Sequence, residues 1–307
     1  MSGKVTVFAP ASVGNVGPGF DVLGMAITGP GDRIEAAFTD TPGIHIEAIT
    51  GDGGKLPTDP ADNTAGIAAA QVLKMSGERR GVSLVIHKGV PGTGLGSSAA
   101  SAVAGAYAVN AVLGDRYPKQ ALMPACIAGE MHVSGGVFLD NLAAALYGGV
   151  VVCHTGMETA WCIGTLDGLH VIVVTPEVRV LTAASRGTLS DTVDKGGFVH
   201  NMAAACTMVA AVARNDAATF GRAIDDVVIE PQRAGLIGGF PEVKGAALAA
   251  GALGGSISGA GASVFAVTDD AARVEGIGRA MADAFTAAGS TSTVTLARVD
   301  GEGARAV

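Results

Sequence analysis

A glycine- and serine-rich run at residues 91–100, PGTGLGSSAA, constrains the possible folds of this chain more than any other stretch. It follows an alternating segment at residues 82–88 and leads into an alanine-rich segment at residues 99–113, an order that predicts strand, loop and helix. Its three glycines let the backbone approach a ligand where a side chain would not fit. Because the first amides of a helix are unpaired and carry partial positive charge, the run predicts a site for nucleotide phosphates.

Three common glycine-rich nucleotide motifs do not fit this run. A P-loop needs a lysine directly after the glycines, and none follows them. A dinucleotide-binding turn needs an acidic residue at a strand end about 20 residues later, where residues 112–118 instead predict a helix end and a turn. The sequence also contains neither HRD nor DFG, which protein kinases require. A structural glycine turn stays open as an alternative, although packing alone would not require the paired serines at the helix start.

The composition predicts a globular protein with a substantial core, since 49% of its 307 residues are hydrophobic and 16% are charged. Two uncharged windows, at residues 89–114 and 245–268, are interrupted by glycine and serine. We therefore expect buried elements of a soluble protein there rather than membrane spans. The formal net charge is −8 without any lysine- or arginine-rich run, which argues against nucleic acids and membrane surfaces as partners.

The cysteines and the N-terminal segment indicate a reducing compartment. No CxxC spacing occurs, which favours free thiols over disulfides or a zinc site for all four cysteines: Cys126, Cys153, Cys162 and Cys206. The N-terminal segment MSGKVTVFAP lacks the apolar stretch of a signal peptide, so we expect a cytoplasmic protein. The apolar composition also suggests a homodimer.

Strand and helix patterns are mixed without strict alternation, which predicts an α+β fold rather than a doubly wound parallel sheet. We predict strands at residues 4–9, 33–38, 44–49, 82–88, 148–154, 169–175 and 292–299, and a glycine turn entering a strand at 256–267. We predict helices at residues 64–75, 99–113, 114–131, 140–147, 182–189, 197–214, 217–225, 242–250 and 271–288. Pro124 should kink the third helix or mark its start. The pattern weakens before residue 169, which predicts domains at residues 1–165 and 166–307.

Two further glycine-rich stretches accompany the central run, and the three together resemble the motifs of the GHMP small-molecule kinases. Residues 10–26, PASVGNVGPGFDVLGMA, are similar to the N-terminal signature of homoserine kinases, and residues 256–266, SISGAGASVFA, to their C-terminal glycine motif. The resemblance implies an α+β fold with an ATP-binding N-terminal domain like ribosomal protein S5 domain 2 and a ferredoxin-like C-terminal domain. It also implies ATP and Mg²⁺, and phosphorylation of the side-chain hydroxyl of homoserine in threonine synthesis.

The resemblance assigns residues to the nucleotide and the metal. Nucleotide contacts would come from Asn63 near the adenine edge and from the loop itself, namely Pro91, Gly92, Thr93, Gly94, Leu95, Gly96, Ser97, Ser98, Ala99 and Ala100. Ser98 and Glu130 match the metal-binding positions, and both offer the oxygen ligands that Mg²⁺ prefers.

Simpler roles stay open for each of these side chains. Asn63 and Ser98 would each suit a helix cap. Glu130 would suit a solvated helix carboxylate, although burying it unpaired within CIAGEMHV would be costly. Lys88, directly before the loop, is interpreted as a surface lysine at a strand end.

The implied substrate contacts are Asn15, Asp21, Asp140, Arg186, Arg233 and Gly259. Arginine suits the carboxylate of an amino acid because its planar fork binds it bidentately. Asn141 and Asp140 match the pair beside the substrate hydroxyl, where Asn141 would orient the hydroxyl and Asp140 is a candidate base. Solvated surface arginines, and an aspartate that bonds its own turn, are the simpler alternatives.

One position departs from the family pattern. Two residues before Asp140 a histidine is usual, and this sequence has Phe138, which cannot hydrogen-bond an amino acid. Nothing in the sequence shows His132 taking over that role. A GHMP kinase acting on another small alcohol therefore stays open. A nucleotide-binding relative without turnover is a further alternative, although the retained Ser98, Glu130, Asp140 and Asn141 argue against it. The expected reaction is in-line transfer of the γ-phosphoryl of ATP to a hydroxyl, catalysed mainly by positioning and charge stabilisation.

Overall fold

The computed structural model describes residues 3–90, 92, 94–134, 136–178, 180 and 182–307. The strands of the described chain are β1 Val5–Gly14, β2 Leu23–Thr39, β3 Ile44–Thr50, β4 Gly81–His87, β5 Val150–His154, β6 Thr159–Gly164, β7 His170–Pro176, β8 Gly254–Ile257, β9 Val264–Thr268, β10 Ser292–Arg298 and β11 Arg305–Ala306. Its α-helices are α1 Thr64–Ser76, α2 Ser97–Val112, α3 Lys119–Ser134, α4 Leu139–Tyr147, α5 Thr182–Gly187, α6 Lys195–Ala213, α7 Ala217–Arg222, α8 Glu230–Arg233, α9 Phe240–Ala249 and α10 Val274–Ala287.

The first sheet has seven strands. β11, β1, β2, β4 and β3 lie side by side, and β5 pairs with β2 and β6. β3 runs parallel to β4, whereas the other neighbours are antiparallel. α1 to α4 bury an alanine- and valine-rich core against this sheet. α2 approaches α1 closely at Gly105, because this residue has no side chain. A Cβ there would lie only 2.2 Å from Ala65 O.

The second sheet is antiparallel, in the order β10, β7, β9, β8. α9 and α10 pack on one of its faces around side chains such as Phe285. The other face shares a core with the first sheet, in which Val13 and Met25 pack in one cluster with Val171 and Phe265. This shared core joins the two units and brings the glycine loops of both together.

The predicted α+β class is confirmed, and four of the described strands and helices were missed. β6, β8, α8 and β11 are short, and β11 pairs with β1 from the opposite end of the chain, a contact that local patterns do not reveal. Pro124 lies inside α3 and does not mark its start. The predicted boundary near residue 166 falls between β6 and β7 and stays a prediction.

The two uncharged windows form largely buried elements, as expected. The first contains α2, and the second contains β8 and β9, whose residues are all buried. Within the described chain, α6 is long and apolar enough to cross a membrane by length and composition, and 22% of its most apolar window is buried. α6 packs against α7 and β6, and its own residue Met208 is fully buried.

Candidate active site

A cavity of about 560 Å³ opens where the two units meet. Of the residues predicted from the sequence, these line it: Asn15, Asp21, Asn63, Gly92, Gly94, Gly96, Ser97, Ser98, Glu130, Asp140, Asn141, Arg186, Arg233 and Gly259. Leu95, Ala99 and Ala100 are buried and do not line the cavity. Pro91 and Thr93 lie outside the described residues.

The glycine loop fits closely against its neighbours. Gly94 and Gly96 have φ angles of 89° and 66°, in the left-handed region that favours glycine. A Cβ on Gly94 would lie 2.4 Å from Ser258 O, and one on Gly96 would lie 2.4 Å from Ser12 Oγ. Ser258 Oγ donates to Gly94 O at 2.7 Å, which joins the loop to the turn between β8 and β9. The first turn of α2 therefore lines the cavity with the partial positive charge of a helix start.

Lys88 is buried, so its interpretation as a surface lysine is wrong. Its side chain is 8% exposed and forms an ion pair with Asp32, which is fully buried. Lys88 Nζ also donates to Ser97 O at 3.0 Å and to Ser101 Oγ at 2.7 Å. Asp32 accepts from Ser101 Oγ and from the backbone N–H groups of residues 89–90. The pair thus holds both ends of the glycine loop. Its two members are 56 positions apart in the sequence, so local sequence patterns did not predict it.

Ser98 and Glu130 meet between α2 and α3. Ser98 Oγ donates to Glu130 Oε1 at 3.0 Å, and Glu130 is only 7% exposed, so the solvated-carboxylate alternative is wrong. Gly96, not Ser98, occupies the N-cap position of α2. In the described chain no three His, Cys, Asp or Glu side chains form a metal cluster. A hydroxyl and a carboxylate nevertheless suit Mg²⁺, which readily takes its remaining oxygen ligands from phosphate and water.

Asn63 is the N-cap of α1. Its Oδ1 accepts from the backbone N–H groups of Ala65 at 3.0 Å and Gly66 at 3.3 Å, and its Nδ2 donates to Pro57 O at 2.8 Å. Both ends of the side-chain amide are therefore engaged within the protein. Contact with adenine stays a prediction for this residue, which lines the cavity.

Asp140 and Asn141 lie in the first turn of α4 and are held by the end of β1. Asp140 Oδ2 accepts from the Asn15 backbone N–H at 2.9 Å, and Ser12 Oγ donates to Asn141 Oδ1 at 3.0 Å. A Cβ on Gly14 would lie 2.5 Å from Asn141 Nδ2, so glycine is needed for β1 to approach α4 this closely. The pair is thereby fixed at the cavity wall.

The carboxyl group of Asp140 is 2% exposed, and burial raises its pKa to about 6. The charge of Asp21 shifts this pKa in the same direction, whereas the backbone N–H groups of Asn15 and Asn141 oppose the shift. Asp140 is therefore mostly ionised above pH 6 and can accept a proton near neutral pH, as a general base must.

Two arginines face the same cavity from different elements, α5 and α8. Arg186 Nη2 donates to Asp21 Oδ1 at 2.6 Å, and Arg233 Nη1 donates to Gly259 O at 3.0 Å. Asn15 Nδ2 donates to the same Gly259 oxygen at 2.9 Å. The Nε atoms of both arginines are buried and have no hydrogen-bond partner among the described residues. The two guanidinium groups at the cavity wall suit an anionic ligand group such as a carboxylate.

A second polar cluster, which the sequence did not reveal, supports α8. Asp226 accepts from the backbone N–H groups of residues 228–230. Glu230 accepts from Ser256 Oγ at 2.6 Å and from Lys244 Nζ at 2.5 Å. These contacts fix the short helix against β8 and α9, so its arginine is presented from a rigid base.

Comparison with known proteins agrees with this geometry. The GHMP kinases N terminal domain matches residues 63–149, and the GHMP kinases C terminal domain matches residues 208–287. Homoserine kinase of Chloroherpeton thalassium is 41% identical to this chain over 294 residues, covering 92% of each protein. Homoserine kinase of Arabidopsis thaliana is 40% identical over 315 residues, which cover 99% of this chain and 85% of that relative.

Solved structures show the same architecture. Homoserine kinase from Cytophaga hutchinsonii matches with a TM-score of 0.95 at 38% identity, covering 100% of this chain and 98% of that one. Lactococcus lactis galactokinase complexed with galactose matches with a TM-score of 0.71 at 16% identity, covering 98% of this chain and 95% of that one, and so shares the fold alone. The chain therefore belongs to the homoserine kinase family of the GHMP kinases.

Proposed function

We propose that this chain transfers the γ-phosphoryl group of ATP to the side-chain hydroxyl of homoserine, giving O-phosphohomoserine for threonine synthesis in the cytoplasm. One observation carries the proposal. A single cavity joins a glycine loop at a helix start to two arginines, each of which gives one terminal nitrogen to a protein acceptor. The first feature suits the phosphates of a nucleotide, and the second suits the carboxylate of an amino acid.

At the nucleotide end, the chain contributes position and charge. The loop and the start of α2 bind the phosphates, and Ser98 and Glu130 would hold Mg²⁺. When bound, Mg²⁺ neutralises negative charge on the phosphate oxygens. The positive charge of Lys88 is already balanced by Asp32, so this pair acts by holding the loop in place.

At the substrate end, the charges match those of an α-amino acid. Arg186 and Arg233 bind the carboxylate, and Asp21 with Asp140 provides negative charge for the ammonium group. Asn141 orients the hydroxyl towards the phosphate loop, and Asp140 receives its proton during transfer. Because phosphoryl transfer has a loose transition state, holding the two reactants in line supplies much of the rate enhancement.

A coupled ADP-release assay with ATP and Mg²⁺ tests the proposal. The panel of acceptors comprises homoserine, serine, threonine, mevalonate and galactose, and homoserine is expected to give the highest kcat/KM. Turnover with mevalonate or galactose alone would make the chain a kinase of another small alcohol. ADP release with no acceptor in the panel, together with an ATP-dependent thermal shift, would indicate a nucleotide-binding relative without turnover.

A further inference from the structure

The phenylalanine that departs from the family pattern contacts one of the two cavity arginines. The Cζ atom of Arg186 lies 4.0 Å from the centroid of the Phe138 ring. A second ring, that of Phe20, lies 5.3 Å from Arg186 Cζ and 5.0 Å from Arg233 Cζ. The two guanidinium groups are therefore placed among two aromatic rings at the substrate end of the cavity.

An aromatic face holds a guanidinium group without using its hydrogen bonds. The N–H donors of arginine lie in the plane of the group, whereas a ring attracts the group through its flat face. Arg186 gives one terminal nitrogen to Asp21, and Arg233 gives one to Gly259 O. Their Nε donors have no partner in the described part of the chain. The rings thus hold both arginines without occupying their N–H groups.

The rings also counter a repulsion that is present before substrate binds. Arg233 is 3% exposed and lies close enough to Arg186 for the two positive charges to disfavour each other. The negative face of an aromatic ring attracts a cation, and this attraction is stronger where water is excluded. Phe20, which lies within reach of both arginines, is suited to hold them together.

Phe138 connects this arginine pair to the reacting end of the site. It directly precedes α4, two positions before Asp140 and three before Asn141. The ring that sets the position of Arg186 is therefore attached to the helix start that would orient the substrate hydroxyl.

We propose that Phe138 and Phe20 form an aromatic clamp that positions Arg186 and Arg233 to bind the substrate carboxylate. The proposal rests on the proposed function and identifies two positioning residues for it. The clamp contributes to substrate affinity and to the distance at which the hydroxyl is presented. It takes no part in phosphoryl transfer itself, and it makes Phe138 a functional replacement for a hydrogen-bonding residue.

Steady-state kinetics of F138L test the clamp. We expect the KM for homoserine to rise roughly tenfold, the size of a partly desolvated cation–π contact, since the Arg186 side chain is 33% exposed, with kcat and the KM for ATP within about twofold of the unsubstituted chain. F138Y retains the ring and should restore the KM. Phe38 provides a matched control, because its ring stacks on Arg80 at 3.6 Å and does not line the cavity, so F38L should leave all three constants unchanged.

A double-mutant cycle separates the clamp from a general loss of structure. If Phe138 acts through Arg186, F138L should add little to the KM for homoserine in an R186M background, in which the ring has no cation to hold. Additive effects of the two substitutions, or an unchanged KM in F138L alone, would overturn the clamp. The unsubstituted chain is assayed first, since failure to phosphorylate homoserine would contradict the proposed function and would be seen before any variant is compared.

Discussion

Asp140 carries a buried carboxyl group whose pKa is raised from 3.8 to about 6, mainly by burial. The folded chain holds this proton more tightly than the unfolded chain does. The group therefore stabilises the fold fully below about pH 4, and that contribution is lost as the pH rises through 6. A shift of about two pH units corresponds to a cost of up to about 3 kcal/mol for ionised Asp140 at pH 8.

The substitution D140N should remove this cost together with turnover. The free energy of unfolding from urea titration should exceed that of the unsubstituted chain by up to about 3 kcal/mol at pH 8, with little difference near pH 4. D52N is a control of opposite sign. The backbone N–H groups of Leu56 and Gly54 lower the pKa of exposed Asp52, so D52N should reduce stability at pH 8, and this loss should persist near pH 4 and fade only as the pH falls through the lowered pKa. A D140N effect of equal size at both pH values would contradict the burial argument.

Ser98 and Glu130 allow a test of the phosphate end. S98A removes the hydroxyl that bonds Glu130 Oε1, and with it one oxygen ligand of the proposed metal. We expect kcat at saturating ATP and Mg²⁺ to fall on the order of a hundredfold, as when a stabilising contact to a transition state is lost. Ser76, a buried helix serine that bonds Leu73 O outside the cavity, is the control. Intact turnover in S98A would show that the loop is assigned wrongly.

The residue types in the motifs predicted most of the candidate site, but the sequence did not show which other residues hold the site residues in place. Arginines, acids and amides with the right chemistry could be chosen from three short motifs. The burial of Lys88 depends on Asp32, which joins it only through strand pairing between β2 and β4. Phe138 left the substrate open because a sequence shows that phenylalanine cannot hydrogen-bond an amino acid, but does not show which cation its ring faces.

At the scale of elements, the glycine loop before α2 is specified by backbone geometry as well as by ligand chemistry. Gly96 adopts a φ of 66° and leaves no room for a side chain beside Ser12 Oγ. Gly53 adopts the same φ of 66° with open space around it. Substitutions at these two positions therefore distinguish the cost of backbone strain from the cost of a clash with the residues around the loop.

G96A and G53A should differ in size and in kind. G53A is expected to cost only about 1 kcal/mol of unfolding free energy, the strain of a left-handed alanine. G96A adds a clash with Ser12 and should raise the KM for ATP at least tenfold, because the start of α2 moves. Thermal unfolding and ATP kinetics measure both quantities. Equal effects of the two substitutions would show that Gly96 serves the backbone turn alone.

Long elements were predicted better than short ones, for physical reasons. α1 carries an Asn63 cap and α2 carries a run of alanines within its own sequence, and the observed starts of both lie within two residues of the predicted ones. β2 begins ten residues before its predicted start because its first residues pair with β1 and β5. Such pairing energy comes from distant strands and leaves no local pattern.

Across the whole molecule, the two sheets share a hydrophobic cluster in addition to the core that each sheet packs against its own helices. Phe265 of β9 is fully buried in this cluster with residues of β1 and β2. The last strand, β11, also returns to pair with β1. We therefore expect the two predicted domains to unfold together, although the sequence pattern predicts a domain boundary near residue 166.

F265A tests this cooperativity from the second sheet. Removing the ring should lower the free energy of unfolding by about 3–5 kcal/mol, and the first sheet should be destabilised together with the second. Trp161, the one tryptophan of the sequence, lies in β6 and reports on the first sheet by fluorescence, while circular dichroism reports on both. In urea, both signals should shift together to lower concentration. F198A, at a 55% exposed position on α6, should shift neither. A Trp161 transition that stays in place while circular dichroism splits into two steps would show that the two units fold independently.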